Sequence, residues 1–314
     1  MDNRKLDVKI AHFYYTLGLT QDEIAKRLSL TRQKVNQIMN SLVEKGVVSI
    51  VVNGELERSM SLEQRLEEKF HLKQAVVVES HENDTEKHIF QAVTEAAARH
   101  FERIVQNKSI VGVSWGETLT ATVGHMQYRK RGECRVIQLV GTQNMWEGAV
   151  TADEIVRNLA NKLDCPSFMM YAPNVVVHAE TKKCLMEEEV LKKSFEWIRK
   201  CDIALIGIGE LGEKCTIWQK DVFPREEILK LQNEGFCGDI CLNFLRIDGD
   251  GESCKLRKRI IGVSLEDLRT IPNVMAVATG REKVEAIVGA LKSGCINTLI
   301  IDDDTAQRVC DFTE

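Results

Sequence analysis

The sequence predicts an α/β protein in two parts: an N-terminal helix-turn-helix module of winged type, followed by a larger Rossmann-like α/β domain. Three observations carry this. Residues 20–43 hold two amphipathic segments separated by a turn. Beyond residue 72, short apolar runs alternate with helical stretches, the pattern of a mostly parallel sheet covered on both faces. With only four prolines in 314 residues and no low-complexity segment, nothing reads as a long flexible linker. The predicted division is a helix-turn-helix domain over 1–55, a connecting or dimerisation helix over 56–71, and a ligand-binding and oligomerisation domain over 72–314.

Taken in order, residues 8–17 read as a first helix with Ile10, Phe13, Tyr14 and Leu17 facing inward. Thr20 with Glu23 three positions on is a capping box for the second helix, whose apolar face is Ile24, Ala25 and Leu28. Leu30 closes the corner and Thr31 caps the third helix. There Val35, Ile38, Met39, Leu42 and Val43 recur at helical spacing. That spacing leaves Arg32, Gln33, Lys34, Asn36 and Gln37 on the outer face. These types hydrogen-bond phosphates and base edges, and they lie at the N-terminal end of the helix, where a recognition helix meets the major groove. Thr31, Arg32, Gln33, Lys34, Asn36 and Gln37 are therefore the expected DNA contacts, and double-stranded operator DNA the expected partner. Residues 1–60 carry nine Lys/Arg against seven Asp/Glu, while the remainder carries 33 against 40. A modest positive excess confined to one end of an acidic chain suits a protein in which only that end approaches phosphates.

Gly46 reads as a helix stop, and residues 47–52, VVSIVV, as a short strand or wing. Residues 59–70 place Leu62, Leu66 and Phe70 four apart, as in a connecting or dimer-forming helix. Apolar strands are then expected at 75–80, 109–114, 136–141, 167–173, 202–209, 239–247, 274–280 and 297–302, with a long helix after the first that aligns Ala92, Val93, Ala96, Ala97, Phe101 and Ile104. No apolar run is long enough to span a bilayer, and MDNRKLDVKI has no secretion-signal core, so a cytoplasmic location is expected. The ten cysteines are scattered through apolar runs and read as buried thiols. Cys237 and Cys241 lack the second ligand pair of a zinc site, so no metal is expected.

In a parallel sheet, ligands bind beyond the C-terminal strand ends. The loop after 109–114 runs through Ser114, Trp115, Gly116, Glu117, Thr118 and Leu119 into a helix. Its free N–H groups and hydroxyls suit an anion such as phosphate, although Glu117 opposes one. Loops at equivalent ends contribute Gly141 to Asn144, Gly207 and Gly209 up to Glu210, and Thr279 to Lys283. Asp239, expected at the start of its strand, could accept from sugar hydroxyls, and Lys283 could pair with a phosphate or hydroxyl. The expected ligand site is thus Ser114, Trp115, Gly116, Thr118, Leu119, Gly141, Asn144, Gly207, Gly209, Asp239 and Lys283.

GVSWGETL at 112–119, GDICLNFLRIDG at 238–249, the long stretch IGVSLEDLRTIPNVMAVATGREKVEAIVGALKSGCINTLIIDDDTA at 261–306, and TQDEIAKRLSLTRQKVNQIM near the N-terminus resemble the SorC family of bacterial transcriptional regulators over nearly the whole chain. The resemblance implies a C-terminal domain of the phosphosugar isomerase/CoA-transferase-like fold that binds a sugar or sugar-phosphate effector, a homo-oligomer (dimer or tetramer), and no catalysis or cofactor. It places effector contacts on Ser114, Gly116, Thr118 and Leu119, with Asp239 and Lys283 opposite. Where many relatives have a second glycine after Gly141, this chain has Thr142, then Gln143 and Asn144. The implied protein is a transcriptional regulator of a carbohydrate-utilisation operon in which sugar binding shifts the oligomer between arrangements. Two rival readings stand beside it: an enzyme of the same fold, with Glu117 and Asp153 as the nearby carboxylates, and a DNA-binding protein whose large domain is only an oligomerisation scaffold.

Overall fold

The computed structural model of the chain describes residues 3–48, 57–81, 83–142, 151–213, 215–219 and 222–313. They fall into two units, Met1–Glu57 and Arg58–Glu314. In the first, helix α1 (Asn3–Ala11) continues into a single π-turn (His12–Thr16), followed by α2 (Gln21–Leu28) and α3 (Arg32–Ser41). The Thr20 hydroxyl accepts from the Glu23 N–H while Glu23 accepts from the Thr20 N–H, which completes the capping box. Ser29 takes a left-handed conformation to end α2, and the Thr31 hydroxyl accepts from the Lys34 N–H to start α3. Ile10, Ile24, Val35 and Leu42 are wholly buried between the three helices.

Two expectations for this unit change. Tyr14 and Leu17 do not face inward but are 37% and 51% exposed. The Leu17 N–H bonds five residues back to the His12 carbonyl, and this wider winding carries both side chains off the inner face. Val43 is also exposed, because α3 stops at Ser41 and the Leu42 N–H tightens onto the Met39 carbonyl three residues back. Gly46, at φ +63°, ends this stretch in the left-handed region that glycine adopts without strain. The expected wing over 47–52 lies, beyond Val48, outside the described residues.

The second unit opens with α4 (Glu57–Phe70), which buries Leu62 and Leu66 in its core. There follow β1 (Gln74–Val78), α5 (Glu86–Ile104), β2 (Ile110–Val113), α6 (Glu117–His125), β3 (Arg135–Gln138), α7 (Ala152–Leu163), β4 (Ser167–Phe168), α8 (Ala179–Glu187) and α9 (Glu189–Ile198). The chain continues through β5 (Ile203–Gly207), β6 (Gly209–Glu210), α10 (Thr216–Gln219), α11 (Arg225–Asn233), β7 (Phe236–Ile240), β8 (Asn243–Arg246), α12 (Leu265–Thr270), β9 (Asn273–Val277), α13 (Val284–Lys292), β10 (Thr298–Asp302) and α14 (Asp303–Asp311). Among the described residues, seven strands form a parallel sheet in the order β1-β10-β9-β5-β2-β3-β4.

Side-chain alternation divides the core between the two faces. Ala204 and Ile206 of β5, with Val274 and Ala276 of β9 and Leu299 and Ile301 of β10, pack on one side. Their neighbours Ile203, Leu205, Met275, Val277 and Ile300 pack on the other, against α5, α6 and α7. The edge strand β1 is closed by α4: Glu67 and Glu63, one helical turn apart, accept from the Ala75 and Val77 N–H groups at 2.8 and 2.9 Å. Those donors would otherwise be an open template for another strand.

Residues 239–247 do not form one strand of this sheet. They form the β7–β8 hairpin, antiparallel, with β6 on its other side. Its two-residue turn, Cys241 and Leu242, has φ of +51° and +62°. Such turns usually carry Asn-Gly; here the Asp239 carboxylate accepts from the Leu242 N–H at 2.8 Å and the Asn243 amide donates to Ile240 and Cys241 carbonyls, which together hold the strained pair. Asp239 therefore sits next to the last residue of β7, not at the start of a strand. Within 167–173 only Ser167 and Phe168 pair as strand.

Candidate functional site

The sheet order itself places a crevice. From β2 the chain runs outward to β3 and β4, then returns to the other side of β2 for β5 and on to β9 and β10. Loops leaving β2 and β5 therefore diverge and leave a gap at their C-terminal ends, the usual ligand position in such sheets. A cavity of about 390 Å³ opens there.

One wall is the loop from β2 into α6. The Ser114 N–H bonds to the Leu205 carbonyl at 3.1 Å, so the loop stays tied to β5 up to the turn. Gly116 then adopts φ +125° and ψ 159°, a conformation open essentially to glycine alone, and turns the chain into α6. The first intrahelical bond is Thr120 N–H to the Gly116 carbonyl, so the N–H groups of Glu117, Thr118 and Leu119 have no acceptor within the helix. Ser114, Trp115, Gly116 and Thr118 line the cavity, and so does Glu117.

The opposite wall is Gly207, Gly209, Glu210 and Asp239. Gly209 pairs with Asp239 across β6 and β7, and the Asp239 carboxylate fills the space a side chain at 209 would need. Asp239 is 6% exposed, and burial pushes its pKa up to about 6, against the opposing effects of the Leu242 N–H and Lys283. Glu210 is anchored by the Gly212 N–H. Lys283 enters from the turn before α13, where Gly280 has φ +113°.

Two expected site residues, Leu119 and Gly141, are not brought in. Leu119 is wholly buried in the core beneath α6 and reaches the helix start only through its N–H. Gly141 lies against the backbone of Ala172 and Pro173, and its N–H bonds to the Ile261 carbonyl. After β3 the chain thus pairs with a neighbouring segment instead of entering the cavity. Asn144 lies outside the described residues. Asp153, weighed as a catalytic carboxylate, is on α7 in an ion pair with Arg157 at 3.7 Å and does not line the cavity.

Other residues complete the lining. Glu86 and Phe90 come from the first turns of α5, Cys215, Thr216 and Ile217 from the segment entering α10, and Ile208, Cys241 and Glu282 from loops already named. The strand-end rule that selected the other loops applies equally to the loop after β1, which leads into α5. Nothing in the local sequence of 215–217 marks it. Among the described residues there is no cluster of three metal-ligating side chains. All ten cysteines are free thiols, of which Cys184 alone is exposed.

In the first unit, Thr31, Arg32, Gln33, Lys34, Asn36 and Gln37 are all exposed, on the face of α3 opposite Val35 and Ile38. Lys34 donates to Gln37 at 3.2 Å, Gln21 to Asn36 at 3.4 Å, and Arg32 lies 3.7 Å from Asp22. The face is thus a continuous row of polar donors and acceptors at the start of the helix. No helix of the described residues is long and apolar enough to cross a membrane.

Comparison with known proteins bears on both units. Residues 54–311 match the Sugar-bind family, a sugar-binding domain, and residues 6–63 match the Crp-like helix-turn-helix domain. The chain is 30% identical over 308 residues to the deoxyribonucleoside regulator of Bacillus subtilis (strain 168), covering 98% of each protein. It is 26% identical to the sorbitol operon regulator of Klebsiella pneumoniae, again over 98% of each. The solved full-length structure of that regulator, SorC, superposes with a TM-score of 0.74 over 99% of this chain and 100% of the other. A DeoR family transcriptional regulator from Listeria monocytogenes, 29% identical, superposes with the same TM-score over 80% of this chain and 99% of the other.

Proposed function

This chain belongs to the SorC-type family of sugar-binding transcriptional regulators, and from that premise we propose that it represses or activates a carbohydrate-utilisation operon according to occupancy of the cavity between β2 and β5. The effector is a small sugar or sugar phosphate. The observation that carries this is the convergence of several loop ends on one cavity that combines hydroxyls, free N–H groups, carboxylates and Lys283 with the apolar faces of Trp115 and Phe90. Carbohydrates need that mixture: polar partners for hydroxyls and an apolar surface for the ring. The relatives' names point the same way, toward sorbitol, deoxyribonucleosides and, for a Brucella abortus relative, erythritol.

Arg32, Gln33, Lys34, Asn36 and Gln37 read one half-site of an operator, with Thr31 at the phosphate, and a homo-oligomer, dimer or tetramer, supplies the second copy. Effector binding shifts that oligomer between arrangements. To move such an equilibrium nearly completely, the two states must differ in effector affinity by about 5 kcal/mol. The test is thermal unfolding against a panel of sugars, polyols and their phosphates, with the best ligand carried into a DNA-binding assay on the promoter of the neighbouring operon. A ligand that raises the Tm and changes DNA affinity supports the sensor. A ligand-independent protein that still binds DNA would make the large unit a scaffold.

A further inference from the structure

The charge of the cavity narrows the ligand class. Its described lining holds five carboxylates, on Glu86, Glu117, Glu210, Asp239 and Glu282, against one cation, Lys283. Lys283 interacts with Asp239, so its charge is already opposed within the site. Two of the acids are placed where a phosphate would otherwise be favoured or admitted. Glu117 is the first residue of α6, so its carboxylate sits at the positive end of the helix, beside the N–H groups an anion would use. Glu210 accepts from the Gly212 N–H and pairs through β6 with the strand that carries Asp239, which sets it at the cavity wall. Asp239 gives one oxygen to the Leu242 N–H and rests the other over Gly209 at the cavity wall.

We infer that the cavity takes an uncharged polyhydroxy compound, a free sugar or polyol, in preference to its phosphate ester, and that Glu117 and Glu210 set this preference. The inference rests on the sensor reading above and sharpens it. Hydroxyl groups donate to carboxylates, and the Ser114 and Thr118 hydroxyls and the α6 N–H groups can donate back to ligand oxygens, so a neutral polyhydroxy ligand has partners of both kinds in the cavity lining. A phosphate dianion at the α6 start meets the Glu117 carboxylate in the same helical turn, where the two like charges repel.

The experiment uses the full chain and matched pairs: erythritol, ribose, 2-deoxyribose, fructose and sorbitol, each offered free and as its terminal monophosphate, read by calorimetric titration and thermal shift. The expected result is that the best-binding pair favours the free compound by tenfold or more, with a gap that narrows as salt is raised. Glu117→Gln and Glu210→Gln should each close part of the gap by raising affinity for the monophosphate. The Tm of each variant without ligand reports whether it is folded, and Glu117→Gln, on an exposed helix turn, preserves shape while removing charge. A monophosphate that binds the natural protein as tightly as the free compound, or a gap unchanged in both folded variants, overturns the inference and leaves the sensor reading standing. If neither member of any pair binds, the sensor reading fails for this panel and the inference falls with it.

Discussion

The Thr279 hydroxyl donates to Asp302 at 2.7 Å, and the other oxygen of the same carboxylate accepts from the Thr305 N–H at 2.8 Å. One buried side chain therefore holds the loop that follows β9 and caps α14 at the end of β10. The next residues extend the clamp: the Gly280 N–H donates to the Thr305 hydroxyl and Arg281 pairs with Asp304, so the turn that delivers Glu282 and Lys283 to the cavity is tied once to the end of β10 and twice to α14. Asp303 adds a link within the second unit, accepting from the Ser80 hydroxyl at 2.6 Å and lying 3.8 Å from Arg58 at the start of α4.

Asp302→Ala strands two donors in a site 3% exposed and should cost about 2–4 kcal/mol, since groups bonded to a charge lose more than neutral pairs. Denaturant midpoints measure the loss, and effector affinity should fall with it because Lys283 loses its support. Thr279→Val should cost only about 1 kcal/mol. Equal stability of Asp302→Ala and the natural protein would mean that the clamp is not structural.

Asp239 predicts a pH dependence with a definite sign. Its folded pKa, raised to about 6 by burial, exceeds the unfolded value, so between these values the folded state holds the extra proton. Its contribution to stability is therefore best at low pH and is lost as pH rises through about 6. Asp239→Asn removes that loss, and should stabilise the free protein relative to the natural chain at pH 8 by an amount on the order of 2 kcal/mol, while the difference shrinks toward pH 5. The same variant should bind the effector more weakly. Parallel stability curves from pH 5 to 8 would contradict the assignment.

Gly209→Ala should remove effector binding with little change in DNA affinity. The new methyl group would occupy the space of the Asp239 carboxylate, which must then move into the cavity or lose its bond to the Leu242 N–H. Titration calorimetry and operator binding, run on the same preparation, separate the two effects.

On α3, Arg32→Ala and Gln37→Ala should each weaken operator binding by about 1–3 kcal/mol if they touch bases; a phosphate contact would instead reduce the salt slope by about one. Stability should scarcely change, because the Arg32–Asp22 pair is exposed on both sides and such pairs contribute little. Loss of DNA binding together with a lower Tm would point to misfolding.

The helix-turn-helix was legible because its signals are local. Thr20, Glu23 and Thr31 bond to backbone groups three residues away, so the caps follow from sequence order alone. Helical periodicity located Val35, Ile38 and Leu42, and it misplaced Tyr14, Leu17 and Val43 where a π-turn or a tightened helix end breaks the period. The same local logic found the β2–α6 loop, where Gly116 and the helix start that bears Thr118 are contiguous. It missed the β7–β8 turn, since Cys241-Leu242 carries no turn signal and is held by Asp239 and Asn243.

By itself, then, the sequence determined the alternation of strands and helices along most of the chain, the two-part α/β organisation, the polar face of α3 and the loops at several strand ends, all consequences of side-chain period and capping within a few residues. Tertiary structure alone decided which of those ends meet. The reversal of strand order at β2 and β5 gathers Ser114, Gly209, Asp239 and Lys283 around one cavity and adds Glu86, Phe90 and Cys215 to them. It leaves Gly141 against Pro173 and Leu119 in the core. The physical reason is that strand order is set by long-range burial of both sheet faces, a property of the whole packed domain that no window of neighbouring residues contains.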